Sequence, residues 1–200
     1  MDRILLTKEE FDELMKIKGE VRGVTLKGYG DYLLKKEGEE KTKEIEEIIT
    51  DFGYPFRFKE VKGMHFYPVG LQAVILELMK RMFNYTAETF QEIGEFSAKS
   101  SILVRVFARY FFSVKEIMKR APEMWRKSYT IGQVKLMEYN EEKRRLILRI
   151  ENFKVHPLQG QVLIGYFSSV LQMIGGQKAK GEEIKSPFRG DECYEFLMEW

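Results

Sequence analysis

The stretch that decides the fold is SYTIGQVKLMEYNEEKRRLILRIENFKV, residues 128–155. Residues 128–139 and 144–155 alternate between apolar and polar side chains and are rich in strand-forming residues, as half-buried strands are. The polar residues 140–143 between them suit a hairpin loop. The sequence therefore predicts an antiparallel hairpin in the second half of the chain.

Toward the C-terminus, the hairpin is followed by a helix and by two further strands. Residues 157–174 are apolar at helical spacing, and Gly175-Gly176 suits the end of a helix. Residues 178–185 and 193–200 have strand composition, and a turn with Pro and Gly lies between them. The order strand, strand, helix, strand, strand predicts an antiparallel sheet packed against helices.

Toward the N-terminus, the apolar residues recur at helical spacing. Thr7 and Glu10 have capping-box spacing, and residues 101–120 are apolar on nearly every side, as a buried central helix would be. A break is expected near Ser113, and Pro122 is expected to end that helix, with a short turn at residues 123–127. The predicted helices span residues 8–18, 39–52, 68–83, 86–97 and 101–120, and another is expected to start within residues 19–30 and to continue through residues 32–36. The fold class predicted is α+β, with N-terminal helices followed by the sheet.

Composition limits the kind of protein. The chain has 200 residues, 44% of them hydrophobic, and a net charge of +2, so a packed core is expected and a nucleic-acid partner is not. Cys193 is the single cysteine, which excludes an intramolecular disulfide and suits the cytoplasm. The N-terminus lacks a signal-peptide pattern, and no segment is apolar enough to predict a membrane span.

Catalytic and metal-binding motifs are absent from the sequence. There is no GxGxxG loop, no GxSxG nucleophile elbow and no HExxH helix. The adjacent carboxylates Glu46-Glu47 and Glu182-Glu183 lie in charged runs and are interpreted as solvated side chains. We therefore expect a protein that is not an enzyme and holds no metal.

The residues expected to line a pocket for an apolar, aromatic or acyl ligand lie in the second half of the chain. Arg105 and Arg109 are one helical turn apart, where two guanidinium groups suit an anionic ligand group, although they could equally extend out of the core. The full candidate set is Arg105, Phe107, Arg109, Tyr110, Phe111, Trp125, His156 and Phe167.

No cofactor is expected, but haem is the alternative. One axial histidine in an apolar cavity suffices to hold haem iron. His65 and His156, each shortly before a predicted helix, are the two candidates. A protein that serves only assembly, with no ligand, is a third possibility.

Two glycines inside the helix 157–174 predict close packing. Gly160 and Gly165 are about 140° apart around a helix, so one is expected to face the sheet and the other a twin helix in a homodimer. Leucine at either position is expected to overfill the site, at a cost of about 1–3 kcal/mol.

The C-terminal residues also resemble a known family. The segments FKVHPLQGQVLIGYFSSVLQMIGG and EEIKSPFRGDECYEFLMEW are similar to the 4-vinyl reductase domain, with a Gly-Asp-Glu-Cys turn at residues 190–193. IGEFSAKSSILVRVF, which contains Gly94, and MHFYPVGLQAVILELMKRM, which looks like the myxobacterial members, extend the resemblance to residues 67–200. Residues 1–66 would then be a helical segment packed on that domain or continuous with it.

The resemblance implies a fold shared with TRAPP subunits and haem nitric-oxide-binding domains, an apolar ligand cavity and dimers. Some members bind zinc through several cysteines near the last turn, where this chain keeps only Cys193. The haem-binding branch carries a Tyr-x-Ser-x-Arg motif, and the similar run Tyr166-Phe167-Ser168-Ser169 lacks the arginine. A homodimeric small-molecule sensor is therefore expected, with haem as the second choice.

Overall fold

A computed structural model of the chain describes residues 5–101, 113–175 and 178–200. These residues form seven α-helices and two antiparallel sheets, which confirms the predicted α+β class. The chain divides into two compact units, Met1–Thr86 and Ala87–Trp200. The resemblance instead suggests a boundary after residue 66.

The described part of the first unit contains four helices and a two-stranded ribbon. In chain order these are α1 (Lys8–Met15), β1 (Glu20–Arg22), α2 (Gly23–Lys36), α3 (Glu39–Asp51), β2 (Phe66–Pro68) and α4 (Val69–Phe83), with a 3-10 turn at Phe58–Glu60. The strands β1 and β2 were not predicted, because three residues are too few to show a period.

Polar contacts join α1 to α4. The predicted capping box is present: the Thr7 hydroxyl accepts the Glu10 N–H at 3.2 Å, and the Glu10 carboxylate accepts the Thr7 N–H at 2.9 Å. That carboxylate also accepts two hydrogen bonds from Arg81 of α4, each 2.9 Å long. Every residue of α4 from Val69 to Met79 is buried, so α4 forms the centre of the first unit's core.

The described part of the second unit contains three helices and a four-stranded sheet. In chain order these are α5 (Ala87–Ser100), α6 (Val114–Ser128), β3 (Gln133–Asn140), β4 (Arg145–Glu151), α7 (Gln159–Gly175), β5 (Lys180–Lys185) and β6 (Cys193–Glu199). The predicted strand, strand, helix, strand, strand order is confirmed. Most of the predicted central helix 101–120 falls on residues 102–112, outside the described residues.

The helix α6 differs from its prediction at one end. Ser113 caps its first turn by accepting the Glu116 N–H at 3.3 Å, which agrees with the expected break. Pro122 lies inside the helix, however, and residues 123–127, predicted as a turn, are helical. Proline removes one helical hydrogen bond. We attribute the continuation to the apolar face, because Ile117, Met118 and Trp125 are buried on both sides of the proline.

The sheet has the strand order β3-β4-β6-β5, and all neighbours are antiparallel. One face carries the buried apolar residues of the two central strands: Leu146, Leu148, Ile150, Tyr194, Phe196 and Met198. The register shifts between Leu136 and Glu138 in β3 and between Glu183 and Lys185 in β5. Each edge strand therefore carries one bulge, at Met137 and at Ile184, and both of these side chains are exposed.

Ion pairs cover the opposite face of the sheet. Glu195 in β6 is 6% exposed and accepts hydrogen bonds from Arg149 Nε at 2.7 Å and from Lys185 Nζ at 3.1 Å. Lys135 pairs with Glu151 at 2.6 Å across β3 and β4. Cys193 lies on this face as well, and burial raises the pKa of its thiol, so it behaves as a small buried side chain.

Two helices of the second unit cross at unusually short distance. A Cβ at Gly94 in α5 would lie 2.7 Å from the Tyr166 backbone nitrogen in α7, and one at Gly165 would lie 2.7 Å from the Gln91 carbonyl carbon in α5. The backbone of the other helix thus packs directly against each glycine. The expected twin-helix partner of Gly165 is therefore wrong: α5 of the same chain occupies that side.

The other glycine predicted to pack closely, Gly160, lies against the sheet. A Cβ at this position would lie 2.8 Å from Glu183 Cδ in β5 and 3.2 Å from the Tyr194 ring in β6. Gly160 therefore faces the sheet, a role that the sequence predicted for one of the two glycines.

Candidate ligand-binding site

A continuous row of aromatic side chains runs along the core of the second unit, beneath α7. It is defined by Trp125, Phe153, Tyr194, Phe196 and Phe167, and we call it the aromatic row. Successive ring centroids are 4.8, 6.4, 5.5 and 5.8 Å apart, within the range of aromatic pairs. Alternation along β6 places two of these rings on the core side of the sheet, and the others come from α6, from the segment just after β4 and from α7.

Trp125, at one end of the aromatic row, is held by a hydrogen bond and by a stacked ring. The indole N–H of Trp125 donates to the Ile131 carbonyl at 2.8 Å, and the ring stacks on Tyr129 with centroids 4.7 Å apart. Phe153 is 2% exposed and lies edge-on to both of these rings. This end of the row is therefore rigid, since each ring is fixed by at least two neighbours.

Buried polar groups lie beside the row, at the first turn of α7. We call His156, Gln159, Glu183 and Ser186 the polar cluster; the side chain of Glu183 is 7% exposed, and the other three residues are 1% exposed. The Tyr194 hydroxyl donates to the His156 carbonyl at 3.4 Å, which joins the cluster to the aromatic row. Burial, with the nearby Glu183 charge, raises the pKa of the Tyr194 hydroxyl.

Glu183 is the unusual member of the cluster. Its Oε1 lies 3.1 Å from Arg189 Nη1, but its Oε2 is buried and has no hydrogen-bond partner among the described residues. Burial raises the pKa of this carboxyl, and the Ser186 hydrogen bond and the Arg189 charge only partly oppose that effect. The interpretation of Glu183 as a solvated side chain is wrong, because adjacent strand residues face opposite sides and Glu183 faces inward. The same interpretation is wrong for Glu46 in α3, which is 4% exposed and accepts the Phe58 N–H at 2.8 Å.

Three of the eight residues predicted to line a pocket are described, and they lie along this region. Trp125 and Phe167 are at the two ends of the aromatic row, and His156 belongs to the polar cluster. The other five, Arg105, Phe107, Arg109, Tyr110 and Phe111, lie outside the described residues. Sequence reasoning missed Phe153, Tyr194 and Phe196, although the alternation of residues 193–199 does place the last two on one face.

The described contacts of the two histidines do not favour haem ligation. A haem-ligating histidine must present a ring nitrogen to a roomy cavity. His65 is exposed in the turn before β2, and His156 is buried among polar groups, with its Nδ1 accepting the Leu158 N–H at 3.2 Å. The chain has only two histidines, so residues 102–112 supply no other.

The described residues offer neither a metal site nor a membrane span. They contain no group of three or more His, Cys, Asp and Glu residues that could hold a metal ion. Among them there is also no helix with the length and apolar character needed to span a bilayer.

The described elements define an α+β domain with a helical first unit and a second unit built on a four-stranded antiparallel sheet. This is the fold of H-NOX proteins and of a sensory domain of known structure, to which the chain is similar. No protein-family model matches the sequence, and no curated protein does.

An H-NOX protein from S. oneidensis, solved in the Fe(II)NO ligation state, has a TM-score of 0.65 at 11% identity, covering 89% of this chain and 98% of that one. A mutant H-NOX protein from K. algicida has a TM-score of 0.64 at 10% identity, covering 89% and 95%.

The phenol-responsive sensory domain of the transcription activator PoxR, solved with phenol, has a TM-score of 0.50 at 13% identity, covering 72% and 83%. At such identities the likeness concerns the fold. The narrower resemblance to 4-vinyl reductase and TRAPP proteins stays a prediction.

The two buried glutamates of the sheet should respond to pH with opposite signs. Burial would raise the pKa of Glu195, but hydrogen bonds from Arg149 and Lys185 outweigh it and hold the pKa below its ordinary 4.5. The stability that Glu195 contributes is present above pH 4.5 and is lost as the pH falls through its lowered pKa. For Glu183, whose pKa is raised, the contribution is present below pH 4.5 and is lost as the pH rises through the raised value.

Urea unfolding of Glu195→Gln and Glu183→Gln between acidic and neutral pH measures both effects. Relative to the parent, Glu195→Gln should be less stable at neutral pH, with a deficit that shrinks in acid. Glu183→Gln should gain relative stability as the pH rises. Parallel pH profiles for the two variants would contradict this account.

Proposed function

We propose that the chain is a cytoplasmic, non-enzymatic module that binds or senses an apolar small molecule, aromatic or acyl in character. The observation that carries the proposal is the aromatic row, whose middle residue Tyr194 lies beside a buried carboxylate oxygen of Glu183 that has no hydrogen-bond partner among the described residues. An apolar wall with few polar groups is the usual lining of a small-molecule site. The likeness in fold to a phenol-responsive sensory domain supports the same class of ligand.

The second candidate, a haem-based gas sensor, is favoured by the likeness in fold to H-NOX proteins. The positions of His65 and His156 disfavour it. Haem added to the purified protein is expected to give no Soret band of a histidine-ligated species. A band that disappears in His65→Ala or in His156→Ala would establish this candidate and replace the first.

Ligand binding is testable through the tryptophans, because the chain has only Trp125 and Trp200. In a Trp200→Phe variant, emission reports on Trp125 alone, at the end of the aromatic row. Phenol and decanoate are the probes, with excitation at the red edge of the indole band, where phenol absorbs little. We expect a saturable change in emission with at least one probe, at a Kd in the micromolar to millimolar range, about −8 to −4 kcal/mol.

The matched control is Phe188→Ala, a change at a half-exposed ring away from the row, which should leave binding intact. Native mass spectrometry of the full chain checks for a co-purified ligand. Ligand binding would be contradicted if neither probe gave a saturable response and the native mass spectrum showed only ligand-free protein. Assembly would then be the remaining candidate function.

We also propose that the domain self-associates as a homodimer. The twin-helix argument from Gly165 no longer supports this, because α5 occupies that side of α7. The contact must therefore use another surface of the chain.

A further inference from the structure

The outward face of α6 carries a basic stripe. Lys115, Lys119 and Arg126 are exposed, and at 100° per residue they lie within about 40° of one another around the helix. None of the three forms an ion pair with a described residue. The neighbouring Lys127 pairs with Glu123 at 2.7 Å, so these three are the exposed cations of this stripe that have no ion pair with a described residue.

The outward face of α3 carries an acidic stripe. Glu40, Glu44, Glu47 and Asp51 lie within about 60° of one another around the helix. Lys41 pairs with Glu44 at 2.7 Å, whereas the other three carboxylates have no ion pair with a described residue. A shallow groove of about 490 Å³ on this face is lined by Glu39, Glu40, Lys43, Glu44 and Glu47.

The two stripes have opposite charges, and they agree in residue spacing and in length. The basic residues are at positions i, i+4 and i+11, and Glu40, Glu44 and Asp51 have the same spacing, although Lys41 already balances the charge of Glu44. Eleven residues of helix span about 16 Å, so the stripes are equally long. Two α3 faces would repel each other, as would two α6 faces, so the charges favour only the pairing of unlike helices.

We propose that the basic stripe of α6 docks on the acidic stripe of α3 in a second copy of this chain. The inference rests on the self-association part of the proposed function and names its surface. Exposed ion pairs are individually weak and are screened by salt, so the association should be weak and sensitive to ionic strength. Both complementary surfaces belong to one sequence, which is why the partner is a second copy.

Sedimentation velocity of the full chain at about 100 µM tests the proposal at two salt concentrations, about 0.1 M and 1 M NaCl, where the Debye length is about 10 and 3 Å. The parent should associate at the lower concentration and dissociate at the higher one. One variant reverses the basic stripe (Lys115→Glu, Lys119→Glu, Arg126→Glu). The other reverses the acidic stripe (Glu40→Lys, Glu47→Lys, Asp51→Lys).

Each variant alone should associate at least about tenfold more weakly than the parent. An equal mixture of the two should associate again, because each then offers the other two complementary pairs of stripes. The matched control for the basic-stripe variant, Lys18→Glu with Lys143→Glu and Lys178→Glu, makes the same charge change at exposed positions outside both stripes and should behave as the parent. Circular dichroism checks that every variant is folded.

The outcomes distinguish a failure of the α3–α6 contact from a failure of self-association as such. A parent that is monomeric at both salt concentrations overturns both. A parent that associates equally at both concentrations, variants that associate as the parent does, or a mixture that fails to associate would overturn the α3–α6 surface and leave self-association standing.

Discussion

Gly165→Ala is expected to destabilise the second unit by about 3 kcal/mol, although alanine normally stabilises a helix interior by about 1 kcal/mol relative to glycine. The reason is that the added methyl group would overlap the Gln91 carbonyl group, whose carbon would be 2.7 Å from it. Backbone cannot rotate away as a side chain can, so α5 and α7 must separate along their whole crossing. Urea unfolding monitored by circular dichroism measures the loss.

Gly94→Ala should cost about as much, because its methyl group would lie 2.7 Å from the Tyr166 nitrogen on the other helix. The double variant should cost less than the sum, since one separation of the helices relieves both overlaps. Gly160→Ala is the control: it meets the end of the Glu183 side chain, which can move, so its cost should be smaller. A Gly165→Ala protein as stable as the parent would refute the close crossing.

Phe153→Ala is the second substitution with a large expected effect, a loss of about 3–5 kcal/mol. Phe153 is 2% exposed, and its ring contacts Trp125, Tyr129 and Tyr194, so truncation leaves a cavity in the middle of the aromatic row. In the Trp200→Phe background, the Trp125 emission should shift to the red, because the indole ring becomes more mobile or more accessible to water.

Phe153→Leu, which keeps most of the volume, should cost less than about 1.5 kcal/mol. Phe188→Ala, at a ring 36% exposed, should stay within about 0.5 kcal/mol of the parent. If Phe153→Ala behaves like Phe188→Ala, the aromatic row is not a packed unit.

The second unit was largely predictable because its elements are long and regular. Alternation over residues 133–151 and 193–199 spans enough residues to distinguish a strand from a helix, and the apolar run of α7 is 17 residues long. The short ribbon β1–β2 was not predictable, since its pairing comes from contacts distant in sequence. The continuation of α6 through Pro122 depends on tertiary burial of Trp125, which local propensity does not contain.

The site was predictable only in part, for a related reason. Sequence spacing shows that Gly165 needs a close neighbour but does not say whether that neighbour is α5 or another chain. Charged composition made Glu183 look solvated, whereas strand alternation alone requires one of Glu182 and Glu183 to face inward. Trp125 and Phe167 were identified as aromatic candidates, but their connection through Phe153 and β6 required the three-dimensional fold.

The two bulges of the four-stranded sheet make its edges poor templates for fibre growth. An edge strand with a regular ladder can accept a strand from another molecule, and repeated addition builds a fibre. Here β3 and β5 are each interrupted by one extra residue, Met137 and Ile184, so neither edge offers an unbroken set of hydrogen-bonding groups. Growth by strand addition is thus blocked at both ends of the sheet, and any assembly of copies is left to the helices.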